Sequence, residues 1–186
     1  MASQGPLNPG TSADDAGTGT ETWANVGTPG NVAASDDARC TVALTGGNPN
    51  SHWLVATNFG FTIPSGATID GVEFTIERKT TAGGIGQDRF IRLVVGGTIE
   101  THEKAVAVDW PTADGVATYG GATDTWGHEI SPLTPAQINA SDFGIAISAK
   151  RMSGSPTAGV DHVTAKVYYH LSSLPPFRRL SHLVRR

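Results

Sequence analysis

The stretch Ile69-Asp70-Gly71-Val72-Glu73-Phe74-Thr75-Ile76-Glu77-Arg78-Lys79-Thr80 sets Val72, Phe74 and Ile76 against Glu73, Thr75 and Glu77. A period of two places the apolar side chains on one face and the polar ones on the other, the pattern of a strand lying on a core. Upstream, Ile63-Pro64-Ser65-Gly66-Ala67 is a turn. Residues 53–63, ending in Phe59-Gly60-Phe61, and residues 39–44 read as two further strands, separated by the breaker Gly46-Gly47-Asn48-Pro49. Downstream, the Gly-rich Ala82-Gly83-Gly84-Ile85-Gly86 leads into residues 89–95, with Phe90, Leu93 and Val95 apolar. This segment is expected to pair with 72–80 as a hairpin and to close at Gly96-Gly97.

Strand patterns recur at 98–108, 143–150 and 160–171; in the last, Val163, Ala165, Val167 and Tyr169 alternate with Thr164, Lys166 and Tyr168. Thr134-Pro135-Ala136-Gln137 combines a capping Thr, Pro at the first helical position and Gln three residues after the cap. It predicts a short helix over 134–139 that carries the chain between strands of opposite sheets. The predicted fold is all-β: an antiparallel, jelly-roll-like β-sandwich with one short crossover helix and extended N- and C-terminal arms.

Composition agrees with this reading. Of 186 residues only 16% are charged, while 23 are Gly and 11 are Pro, so long charged helices have little material to form from. The length suits one domain with a sizeable core. Residues 1–20 are almost without apolar side chains and are read as an N-terminal arm that cannot fold alone and is held by partner chains. The sandwich is assigned to 21–173, and 174–186 to a basic C-terminal tail.

Four arginines lie in the last nine residues, leaving 9 basic against 17 acidic residues before them, so the body is acidic and the tail basic. Phe177, Arg178, Arg179, Leu180, Leu183, Arg185 and Arg186 are the candidate partner-binding residues of that tail. The single cysteine, Cys40, cannot close an internal disulfide and reads as a small core residue. Residues 1–6 have neither a basic flank nor an apolar run, so no signal peptide is expected, and no window has the length of a membrane span.

Motifs that carry chemistry are not evident. The run from Gly83 to Gly86 lacks the spacing of a phosphate loop, and His102-Glu103 has no second His four residues after the first. His162 and His170 would stand about 26 Å apart on one strand, too far to share a metal. Asp14, Asp15, Asp36, Asp37, Asp88, Asp109 and Asp124 are potential calcium ligands but match no loop spacing, and turn or cap roles account for them. No catalytic residue, cofactor or metal is therefore assigned, and the chain is expected not to be an enzyme.

Aromatic content supports an alternative role in binding carbohydrate. Trp23, Trp53, Trp110 and Trp126 with Tyr119 could stack on sugar rings; Trp110 and Trp126 flank the Gly-rich loop over 114–127, and the reading in which at least one of them anchors that loop is preferred.

The run from Phe59 to Val72, Tyr119-Gly120-Gly121-Ala122-Thr123-Asp124-Thr125-Trp126-Gly127, the run from Ile138 to Ile145, and Val160-Asp161-His162-Val163 with Val167-Tyr168-Tyr169 resemble segments of tailed-bacteriophage virion structural proteins. The resemblance covers about residues 20 to 171. It implies a virion component decorating the capsid or attached to the tail or fibre, assembled in the host cytoplasm. Other virion proteins would be its partners, with a trimeric homo-oligomer expected and no membrane or nucleic-acid role. A carbohydrate-binding module contacting host-surface glycans is the alternative.

Overall fold

The computed structural model describes residues 1–171 apart from 46, 48, 49 and 82. Ten strands and one short helix are present: β1 (Ala2–Leu7), β2 (Thr11–Asp15), β3 (Cys40–Ala43), β4 (Trp53–Thr57), β5 (Ala67–Thr80), β6 (Gly84–Val95), β7 (Thr98–Ile99), β8 (Gly115–Gly120), α1 (Pro135–Asn139), β9 (Gly144–Gly154) and β10 (Thr157–Leu171). They form two five-stranded antiparallel sheets. One runs β1-β10-β5-β8, with β3 also pairing to β10; the other runs β2-β4-β9-β6-β7.

The long strands β5 and β10 form the middle of the first sheet. Ile76 opposes Val163, Phe74 opposes Ala165 and Val72 opposes Val167, and all six side chains turn inward. The polar partners Thr75 with Thr164 and Glu73 with Lys166 fall on the outside, as period two requires. In the second sheet Ile145, Ile147, Ile91, Leu93, Leu54 and Ala56 supply the opposing inner layer. Phe74 packs against Phe59, Trp126 and Phe143 at centroid distances of 5.7, 5.5 and 6.3 Å, so one end of the core is aromatic. Cys40 is buried, and burial pushes its thiol up.

α1 forms where the sequence predicts it and joins β8 of the first sheet to β9 of the second. The Thr134 hydroxyl accepts from Gln137 N and the Gln137 side chain accepts from Thr134 N, a reciprocal cap that satisfies two otherwise orphaned amides. Its one buried side chain, Ile138, pins the crossover to the core.

Three expectations change. The segment 84–95 does not form a hairpin with 72–80: β5 pairs with β10 and β8, whereas β6 pairs with β9 and β7 in the opposite sheet. β5 finds its full-length partner in β10 and β6 in β9, so each long strand is satisfied in a different sheet. Residues 58–63 are not strand, though Phe59, Phe61 and Ile63 are buried, and of the strand expected over 98–108 only Thr98–Ile99 forms.

Residues 1–20 do not stand away from the domain as an arm. β1 adds to β10 and β2 to β4, one strand in each sheet. The segment is too apolar-poor to fold alone, but at a sheet edge it needs only backbone pairing and a few inward side chains such as Ser12. The chain's own sheets pair with it on both sides of the sandwich. The candidate tail residues Phe177 to Arg186 lie outside the described residues.

Candidate functional site

The candidate aromatics are all buried. Trp110, Tyr119 and Trp126 are 3%, 4% and 1% exposed, so none offers a ring face to a sugar, and that part of the expectation is corrected. They act as anchors instead. Trp126 Nε1 donates to Val72 O at 2.9 Å, and its ring stands edge-on to Phe74. Trp110 Nε1 and Tyr119 OH donate to the two oxygens of Asp88, at 2.8 and 2.7 Å, and Asp88 also accepts from Val106 N and pairs with the buried Arg78. Burial, and then the Asp88 charge, pushes the Tyr119 phenol well above its ordinary range. A carboxylate with four donors inside a sandwich is a structural tie between β5, β6, β8 and the segment after β7.

Most remaining acidic candidates are occupied likewise. Asp14 takes Trp23 N and the His52 ring, Asp36 takes Ala38 N, Asp109 takes the Gln87 amide, and Asp124 takes Lys104 and Trp126 N. His162 meets Asn8 and His170 meets Asp70. Among the described residues no group of three or more His, Cys, Asp or Glu is placed to hold a metal ion, and no helix is long and apolar enough to cross a membrane.

The unusual surface is the outer face of the β2-β4-β9-β6-β7 sheet. A second apolar cluster lies there, separate from the sandwich core: Trp53, Val94 and Ala146, with Val55, Phe90 and Ile99 packed against them. Register explains the assembly. Val55 opposes Ala146, which opposes Arg92, and one step along Phe90 opposes Ser148. The central strand β9 thus contributes only the small residues Ala146 and Ser148, while its neighbours raise Trp53 on one side and Phe90 on the other. The two rings sit 5.5 Å apart across this strip.

Cations surround the rings. Arg92 Cζ lies 4.5 Å from the Phe90 centroid and 5.5 Å from that of Trp53, capping both. Its Nε donates to Glu103 Oε2 at 2.9 Å, and Glu103 Oε1 accepts from Ile91 N and Ala105 N. Arg89 is the extra residue of a bulge, since Asp88 opposes Ala149 and Phe90 opposes Ser148 with Arg89 between them. Its Cζ lies 4.9 Å from the same Phe90 centroid. Arg89 Nη1 is shielded from water and has no hydrogen-bond partner. Burial, and then Arg92 beside it, holds the Arg89 guanidinium below its ordinary range. Lys150 continues the outward row of β9 beyond Ser148, and Asp15 opposes Trp53 at the far edge.

Sequence reasoning named Trp53 among the aromatics that could stack on sugar, but did not single out Phe90, Arg89 or Arg92. The signal available was the run Phe90-Ile91-Arg92-Leu93-Val94-Val95, which is apolar on both faces rather than one. On an antiparallel sheet, such a strand has an apolar outer face to account for.

No protein-family model and no curated protein sequence matches the chain. Among solved structures it is similar to the CBM22-1 xylan-binding domain of Paenibacillus barcinonensis Xyn10C (10% identity, covering 92% of this chain and 95% of that one, TM-score 0.43). It is also similar to a CBM4 module (14% identity, 87% and 93% covered, TM-score 0.40) and to an exo-beta-agarase (5% identity, 93% of this chain and 24% of that one, TM-score 0.45). These are carbohydrate-binding modules and an agarase, not virion proteins, and the expectation of a bacteriophage structural component is corrected accordingly. Any binding role rests on the geometry of this chain's own residues.

Proposed function

We propose that the chain is a non-catalytic carbohydrate-binding β-sandwich whose binding surface is the outer face of the β2-β4-β9-β6-β7 sheet. The observation that carries this reading is the half-buried Phe90 ring with the Arg89 and Arg92 guanidinium groups against it, supported from beneath by the buried Trp53, Ala146 and Ser148. A saccharide presents apolar C–H groups and a rim of hydroxyls; the accessible part of the Phe90 ring matches the first, and Arg and Lys donors match the second. Strand-borne residues hold such a surface rigidly, so little conformational entropy is lost on binding. Binding is favoured over catalysis because Glu103, the carboxylate on Arg92, has both oxygens committed to protein donors.

The test is a polysaccharide array probed with the labelled chain, followed by titration calorimetry on the best ligand with wild type and Phe90→Ser. Retention on at least one polysaccharide, weakened tenfold or more by Phe90→Ser when measured well below the melting temperature of the variant, is the expected result. No retention on any polysaccharide refutes the reading.

A further inference from the structure

Resting on that reading, we infer that the glycan bound on this face is anionic, with its carboxylate or sulfate groups received by Arg89 and Arg92. The two guanidinium groups share one ring, Phe90, and only Arg92 has a carboxylate partner. Glu103 already serves two backbone amides, so it does not balance both charges. Arg89 is in no salt bridge among the described residues, and one of its donors is desolvated without an acceptor. Guanidinium stays charged in proteins, and leaving a shielded donor unmade is costly, so the arrangement gains when an acceptor oxygen arrives.

Geometry narrows the acceptor further. An arginine presents two parallel N–H groups that suit the paired oxygens of a carboxylate or sulfate, whereas a lone sugar hydroxyl satisfies one. The bulge adds Arg89 beside Phe90 instead of sending it to the inner face. Lys150, also in no ion pair among the described residues, lies further along β9 and would meet a second anionic residue of the same polymer. Of the acidic groups near the face, Glu103 is held by Arg92, Asp15 opposes Trp53 at one edge, and Asp109 accepts from Gln87, the residue opposite Lys150.

Affinity electrophoresis and calorimetry with polygalacturonate, a sulfated galactan, neutral xylan and neutral β-glucan test this, using wild type, Arg89→Gln and Arg89→Lys. Polyglutamate serves as a control for charge alone. An anionic polysaccharide should bind at least tenfold more tightly than either neutral one. Arg89→Gln should lower that affinity tenfold or more with an unchanged melting temperature, and Arg89→Lys, which keeps the charge but not the fork, should recover only part of it. Preference for polygalacturonate assigns the carboxylate, and preference for the galactan the sulfate.

Neutral polymers bound equally well and indifferent to Arg89→Gln overturn the inference while leaving carbohydrate binding intact. Equal binding of polyglutamate overturns it as well, since charge without a sugar would then suffice. Silence toward every polysaccharide overturns both readings together.

Discussion

Replacing Asp88 with Asn tests the tie beneath the proposed site. The Asp88 side chain is fully buried and the Arg78 side chain nearly so, and Asp88 accepts from Trp110 Nε1 at 2.8 Å, Tyr119 OH at 2.7 Å and Val106 N at 3.1 Å as well as from Arg78. Asn keeps the shape but removes the charge and turns one acceptor into a donor that faces other donors. Removing one member of a buried pair costs about 3–5 kcal/mol, because the remaining charge stays in a medium that solvates it poorly. For a domain of this size that is roughly a 10 °C fall in the melting temperature, and a large share of a total stability of about 5–15 kcal/mol. Urea denaturation followed by Trp fluorescence measures it, with Arg78→Met and the double variant completing a cycle. A loss under about 1 kcal/mol for Asp88→Asn, or strict additivity of the two single changes, would refute the reasoning.

Further outcomes follow from local geometry. Thr134→Ala removes the reciprocal cap of α1 and should lower stability by about 1 kcal/mol in thermal melts, with no loss if the cap is idle. Gly144→Ala places a Cβ 1.9 Å from Ala56 O, backbone that cannot yield without breaking the β4–β9 pairing; a loss above about 2 kcal/mol is expected, and a stable variant would disprove the register of Gly144 with Thr57. Burial pushes the Asp124 carboxyl up, but Lys104 and Trp126 N more than offset this and hold it below its ordinary value. A depressed carboxyl contributes stability above the unfolded pKa and loses it as pH falls through the folded one. Asp124→Asn should therefore be less stable than wild type at neutral pH, by up to about 1 kcal/mol given its partial exposure, and the gap should close as the pH falls through and below the ordinary carboxylate range.

How much of this was legible in the chain follows from where each element sits. Strands β5, β9 and β10 declared themselves because both neighbours and one or both faces constrain them, so their side chains must alternate or run apolar. α1 was read because capping is local chemistry between Thr134 and Gln137. By contrast β1, β2 and β8 pair along one principal neighbour, and backbone hydrogen bonds hold them without a long apolar pattern; the Gly-rich frame of Gly115 to Gly120 hid the inward Tyr119. The hairpin expected between β5 and β6 failed because adjacency in sequence does not decide which sheet a strand joins. The sequence left these aromatics between an anchoring and a stacking role for a related reason. Trp is costly to leave in water, and whether a given Trp faces a ligand or a core depends on contacts distant in sequence, such as Trp126 with Val72.

The bulge at Arg89 connects the interior to the proposed binding face. Residue 88 turns inward to the buried carboxylate network, and residues 89 and 90 then present a guanidinium and a ring outward; neither could be moved by one position without reversing the other. The Asp88 tie therefore fixes more than stability: it fixes the register from which Arg89 and Phe90 project. A weakened tie would loosen that register, so Asp88→Asn should reduce ligand affinity even at temperatures where the variant remains folded, although Asp88 itself touches no ligand. Calorimetry well below the melting temperature of the variant separates the two effects. Unchanged affinity there would show that the bulge is held by the β6–β9 pairing alone.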